Sequence, residues 1–139
     1  MSSIGKFSKN WEDGRSDKIE MIRVIKVPCI NLYNFLQQHN IDLIEDYISD
    51  IQGFDLQVLK TLKPYIDKKK IKNITCEVLK NKNTAIYSNL PNNSEEGFNL
   101  LLNDNYECVA KGAGILIDGD FSGVPDEWWE MDCKWRVKV

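Results

Sequence analysis

The sequence predicts an α/β domain with a parallel βαβ core and antiparallel strands at its C-terminal end. Three observations carry that reading. A buried-looking strand at Leu43–Ile48, an amphipathic helical run from Phe54 to Ile66 and an apolar strand at Ile71–Leu79 follow one another within 40 residues. Strand, helix, strand, with both strands apolar rather than alternating, is the pattern of a parallel pair joined by a helical crossover. Two further strand-like runs, Tyr106–Lys111 and Gly114–Asp118, are separated only by the turn Gly112-Ala113-Gly114, and Lys134–Val139 offers a final strand. The chain has 139 residues, 42% of them apolar, a length that bounds it to one domain able to bury a core without disulfides or a structural metal.

Each element has a local reason. Residues 1–20 are polar and rich in Gly, Ser and Lys, with Trp11 as the large anchor, and read as a loop or edge segment. Met21–Val27 is β-branched and partly alternating, which predicts a strand ended by Pro28. Asn31 can cap a helix from Leu32 to about Gln38, with Leu32, Phe35 and Leu36 on one face. Gly53 closes the next strand. Phe54, Leu56, Val58, Leu59, Leu62, Tyr65 and Ile66 then recur at helical spacing, with Pro64 set to kink or end the helix. Lys68, Lys69, Lys70 and Lys72 suit a solvated helix C-terminus, favoured by the macrodipole, better than a phosphate patch. Ser94 can cap a helix running to about Asn103. Trp128, Trp129 and Trp135 mark an aromatic C-terminal segment, better suited to covering a sheet edge than to stacking on a ligand.

Composition excludes several function classes. The net charge of −3 argues against nucleic-acid binding, which calls for a basic face. No apolar run approaches the roughly 20 residues of a membrane span. Met1-Ser2-Ser3-Ile4-Gly5-Lys6 has no apolar core of a signal peptide, so the chain is expected in the cytoplasm, with Cys29, Cys76, Cys108 and Cys133 as reduced thiols. No Cys-x-x-Cys pair occurs, and the single histidine, His39, sits among Gln37, Gln38 and Asn40 at a helix end. Zinc chemistry and Ser–His or Cys–His hydrolysis are therefore poor fits, and no metal ligands are assigned.

In open parallel sheets ligands bind at the carboxyl ends of the strands. Asp50-Ile51-Gln52-Gly53 leaves the first core strand there, and Glu77 ends the stretch Asn73–Cys76 on the second. Adjacent strands would bring Asp50 and Glu77 to one crevice; alternatively, Asp50 or Gln52 simply caps the following helix. A second acidic segment, Asp118-Gly119-Asp120-Phe121-Ser122-Gly123 followed by Asp126, resembles a calcium loop. Position 12 is Trp129 instead of a bidentate Glu, so an acidic turn between strands is the expectation there.

At the first cluster the chain resembles a known family. Asp50-Ile51-Gln52-Gly53-Phe54-Asp55-Leu56-Gln57-Val58-Leu59-Lys60 is similar to the signature of FkbM-type methyltransferases, where a strand ends in Asp-Val-Glu/Gln-Gly and an acidic residue precedes Val-Leu-Lys. Val27-Pro28-Cys29-Ile30-Asn31-Leu32 resembles the family's lead into a short helix, Ile74-Thr75-Cys76-Glu77-Val78 its next strand, and Ser2-Ser3-Ile4 a preceding Ser-Ser-Leu. The resemblance covers about residues 2 to 111. Ile48, Asp55 and Thr61 stand where the family often has Lys, Glu and Gly.

The resemblance implies a Rossmann-like, S-adenosylmethionine-dependent sheet that transfers a methyl group to an oxygen or nitrogen of a small molecule or sugar. It implies a crevice lined by Asp50, Gln52, Gly53 and Glu77, with Asp50 the best catalytic candidate. The glycine-rich turn that would hold the cofactor has no counterpart before Met21. The expectation is thus a single, N-terminally incomplete domain: an edge segment at 1–20, the core match at 21–111, and C-terminal strands with the acidic, Trp-rich segment at 112–139. S-adenosylmethionine is expected to bind the complete domain and not this chain alone, which would be inactive by itself and could self-associate through its exposed sheet edge. The alternative is a non-catalytic binding or interaction module derived from the same fold.

Overall fold

A computed structural model describes residues 6–9, 22–80, 87, 93–112 and 130–139. Four helices and four strands are named here in chain order: α1 Leu32–Gln38, β1 Ile44–Ser49, α2 Asp55–Thr61, α3 Lys63–Asp67, β2 Ile71–Leu79, α4 Glu95–Leu102, β3 Tyr106–Gly112 and β4 Glu130–Val137. They form a mixed α/β fold around one sheet of order β1-β2-β4-β3. β1 and β2 run parallel, with Ile44 opposite Ile71 and Ser49 opposite Cys76. β4 runs antiparallel to both β2 and β3, so the last strand enters the sheet between the second and third.

Local chemistry accounts for the helix ends. Asn31 caps α1 by accepting a 3.0 Å hydrogen bond from Asn34 N–H. The helix closes through Asn40 at φ 54°, with Ile41 N–H donating to Leu36 C=O at 3.0 Å; asparagine tolerates this left-handed geometry. α3 ends the same way on Lys69 at φ 55°. Pro64 occupies the first turn of α3, where its missing N–H costs nothing, and the break at Leu62 divides the predicted run into α2 and α3. Ser94 caps α4, as its position before Glu95 and Glu96 suggests.

One face of the sheet carries the core. Tyr47, Ile74, Cys76, Val78, Met131, Cys133 and Trp135 pack against Leu56, Leu59, Leu62 and Ile66 of the crossover helices and against Phe98 and Leu102 of α4. Phe98 and Trp135 stack at 5.2 Å between ring centroids, and both are fully buried. The lysine run is spent on surface contacts: Lys70 pairs with Asp42, Lys72 with Glu45 at 2.7 Å, and Lys69 Nζ donates to Lys138 C=O at 3.0 Å. All four cysteines are free, Cys76 and Cys133 buried, and His39 is the C-cap of α1, stacked on Phe35. Among the described residues no helix is long and apolar enough to cross a membrane.

Three expectations change. Residues 22–27 form no strand: they run without regular structure, with Ile22 at 94% exposure. β-propensity reflects packing on a neighbour, and here no neighbour is present. β1 alternates instead of being uniformly apolar, because it is the sheet's edge and its Ile48 face is open. The last strand starts at Glu130, four residues before the predicted Lys134, and stops at Val137. The acidic segment 118–126, Trp128, Trp129 and the strand at 114–118 lie outside the described residues.

Phe98→Ala removes one half of the central stack. It is expected to cost about 3–5 kcal/mol in equilibrium urea unfolding, with far-UV circular dichroism retained below the transition.

Candidate functional site

The carboxyl ends of the parallel pair converge on one acidic crevice. β1 stops at Ser49, opposite Cys76, whereas β2 continues to Leu79. Glu77 therefore lies just past the end of β1, where Asn93 and Ser94 take over beside β2, and Asp50 follows the end of β1.

The turn between β1 and α2 is shaped by backbone conformations that few side chains favour. Gln52 has φ 55° and Gly53 φ 92°, and Gly53 is buried, so it serves the turn and not the crevice surface. Neither Asp50 nor Gln52 caps α2, whose N-cap, Phe54, makes no side-chain cap bond. They bond to one another: Gln52 Nε2 donates to Asp50 Oδ1 at 2.9 Å, and Tyr87 Oη donates to Gln52 Oε1 at 2.8 Å. Tyr87 is buried and stacks on Phe7 at 5.5 Å. A relay of three residues thus orients the exposed Asp50 carboxylate.

The helix terminus is satisfied from elsewhere. Asp55, fully buried, accepts from Ser49 Oγ and, at 3.2 Å, from Ile51 N–H. Leu56 N–H donates to Asn93 Oδ1 at 2.9 Å, Asn93 Nδ2 donates to Glu77 C=O at 3.0 Å, and Leu79 N–H donates to Asn93 C=O at 3.0 Å. One buried asparagine therefore joins the start of α2 to the end of β2.

Electrostatics set the protonation of the crevice. Burial pushes the Glu77 carboxyl up to about 9, helped by the charges of Glu130, Asp50 and Asp55. Burial also raises Glu130, to about 7, while its hydrogen bond with Glu77 pulls the other way. Glu77 therefore keeps its proton to higher pH than Glu130 does. The register explains the meeting: Glu77 is opposite Asp132 and Leu79 opposite Glu130, so Glu77 and Glu130 are diagonal neighbours on one face. Burial also raises the Asp55 carboxyl, against the hydrogen bonds from Ser49 and Ile51.

Sequence reasoning named Asp50, Gln52 and Glu77; the structure sets Asp50 and Gln52, joined by a hydrogen bond, just past the end of β1, and Glu77 on the neighbouring β2. Sequence reasoning missed Glu130, Tyr87 and Asn93, each brought in by long-range pairing. The hydrogen-bonding potential of Asn93 just before the Ser94 cap was the only local signal. Among the described residues no group of His, Cys, Asp and Glu is arranged to hold a metal ion.

A family model for the methyltransferase FkbM domain matches residues 2–107. No curated protein and no solved structure matches the chain.

Glu77 and Glu130 titrate higher folded than unfolded, so between about pH 4.5 and 9 the native state binds more protons. Their contribution to stability is full below that window and lost as pH rises through it. The melting temperature is therefore expected to fall from pH 5 to pH 9. Glu77→Gln should flatten that slope in scanning calorimetry, and an unchanged slope would refute the raised Glu77 carboxyl.

Proposed function

The chain belongs to the FkbM methyltransferase domain family, and from that premise we propose that it carries the acceptor side of an S-adenosylmethionine-dependent methyl-transfer site in a Rossmann-like sheet. The observation that carries the reading is the placement of Asp50, at the end of β1, beside Glu77, just beyond it on the parallel β2, within the matched region.

The described residues do not themselves fit the cofactor. Among the described residues, the turn that leaves β1 for α2, at 50–53, is closed by its own hydrogen bonds. Gly53 is buried, and Gln52 is held between Asp50 and Tyr87, which leaves no glycine cradle for a nucleotide. We therefore assign the cofactor to elements other than these and route no step through it.

The chain's own groups divide the remaining work. Asp50, held by Gln52 and Tyr87, accepts a hydrogen bond from the O–H or N–H of a small-molecule or sugar acceptor and so directs the lone pair of that atom. Glu77 and Glu130 hold a proton beside it, and Glu130, titrating near neutrality, is placed to take the proton the acceptor loses. Asp55 and Asn93 fix the turn.

A second reading is favoured by the closed turn: a binding module that retains the fold without transfer. Titration calorimetry separates the two. S-adenosylmethionine injected into the isolated chain is expected to give no binding heat, and a micromolar isotherm would overturn the assignment of the cofactor to other elements. When the chain is supplied with a strand and glycine-rich turn ahead of residue 1, binding and methyl transfer are expected. Asp50→Asn should then lower kcat by about 10²-fold with cofactor affinity unchanged. Binding without transfer to any hydroxyl or amine acceptor would favour the module.

A further inference from the structure

Residues 22–27, Ile-Arg-Val-Ile-Lys-Val, are strand-forming in composition yet unpaired. Ile22, Val24, Ile25 and Val27 are 94%, 79%, 65% and 68% exposed. Single exposed apolar residues are ordinary, but a contiguous run of this kind marks a surface that is covered by something. In an extended chain Ile22 and Val24 share one face and Ile25 and Val27 the other, the pattern of a strand packed on both sides.

The same chain holds a matching vacancy. Among the described residues β1 pairs with β2 on one side only, which leaves the backbone groups of its other edge without a strand. On the face away from the helices its Ile48 is 65% exposed. The charges are opposite. Arg23 and Lys26 lie on the unpaired segment, and Glu45, Asp46 and Asp50 lie on or just after β1. Arg23, Lys26 and Asp46 make no ion pair among the described residues, so these charges are free to meet.

We propose that two copies of the chain pair by reciprocal strand addition, residues 22–27 of each copy joining the free edge of β1 in the other. Donor and acceptor occur together in one chain and carry opposite charge. A two-fold arrangement uses both donors and both edges and leaves none to propagate a fibre. The pairing stands apart from the methyltransferase reading and needs none of the crevice residues as reactive groups.

The full chain, followed by light scattering behind size exclusion at micromolar concentration, is expected to be a dimer that weakens with added salt. Val24→Pro, which removes a backbone donor from the segment, and Ile25→Asp should each give a monomer. Far-UV circular dichroism should be unchanged, since neither side chain is packed in the monomer. Arg23→Glu with Lys26→Glu should weaken association about tenfold, and adding Asp46→Lys should recover part of it. A monomer at all concentrations, a dimer indifferent to Val24→Pro and Ile25→Asp, or an assembly larger than two would each overturn the proposal. So would a monomer whose 22–27 amides are protected from hydrogen exchange, because the segment would then be paired with its own β1.

Discussion

The carboxylate of Asp55 sits where the strand β1 becomes the helix α2, fully buried, and accepts hydrogen bonds from both the hydroxyl of Ser49 and the backbone N–H of Ile51. Its Oδ1 takes up both donors, at the end of the strand and the start of the loop. Binding the last residue of β1 to the first of α2 shortens the path between them. The intervening Asp50–Gly53 must then loop outward, through left-handed backbone at Gln52 and Gly53. The exposed position of Asp50 is a consequence of that closure. Burial raises the Asp55 carboxyl against the pull of its hydrogen bonds, and the N-terminus of α2 helps to hold a negative charge there. An acidic residue at this place in the family signature thus has a structural task that is separate from any chemistry at Asp50.

Asn93 does for the helix what a local cap would otherwise do. Phe54 cannot accept a bond from the first turn of α2, and the amide oxygen of Asn93 reaches Leu56 N–H from the far side of β2. The same side chain donates to the carbonyl of Glu77. The backbone that carries Glu77 and the helix that follows Asp50 are therefore fastened to one buried group, and the separation of the two acidic positions is fixed by a single hydrogen-bonding residue. A buried amide has little tolerance for partial satisfaction, so this joint is stiff as well as short.

What the sequence disclosed follows from the range of each interaction. β2 was legible to the residue, because Ile71, Ile74, Cys76, Val78 and Leu79 give Ile71–Leu79 a β-branched, apolar-rich composition that suits a strand packed on its neighbours. Asn31, Pro64 and Ser94 act within one helical turn, and their roles were readable without the fold. That β1, which leads into Asp50, runs parallel to the strand carrying Glu77 was readable from the strand-helix-strand pattern. Residues 22–27 misled because β-branched composition states a preference that only a partner strand satisfies. Glu130, Tyr87 and Asn93 were invisible for the opposite reason. Nothing local distinguishes them, and they reach the crevice only because β4 inserts beside β2 and the segments around Phe7 and Tyr87 form a bridge.

The crevice gathers Asp50, Asp55, Glu77 and Glu130 in a chain that already carries a net charge of −3. Four like charges at such proximity would oppose folding unless some were neutralised or engaged. The fold resolves this with three different environments. Asp55 is buried with one oxygen held by two donors, burial raises Glu77 above Glu130, and Asp50 faces solvent with one oxygen tethered to Gln52. Carboxyls of one chemical kind are thereby given different protonation behaviour by their surroundings, the arrangement from which acid and base roles are divided in general. In the proposed transfer only the exposed member meets the acceptor, and the Glu77–Glu130 pair lies next to it, so positioning and proton uptake fall to different residues. The same separation explains why the turn can be rigid without sacrificing an available carboxylate: the residue that fixes the geometry is not the residue that presents the charge.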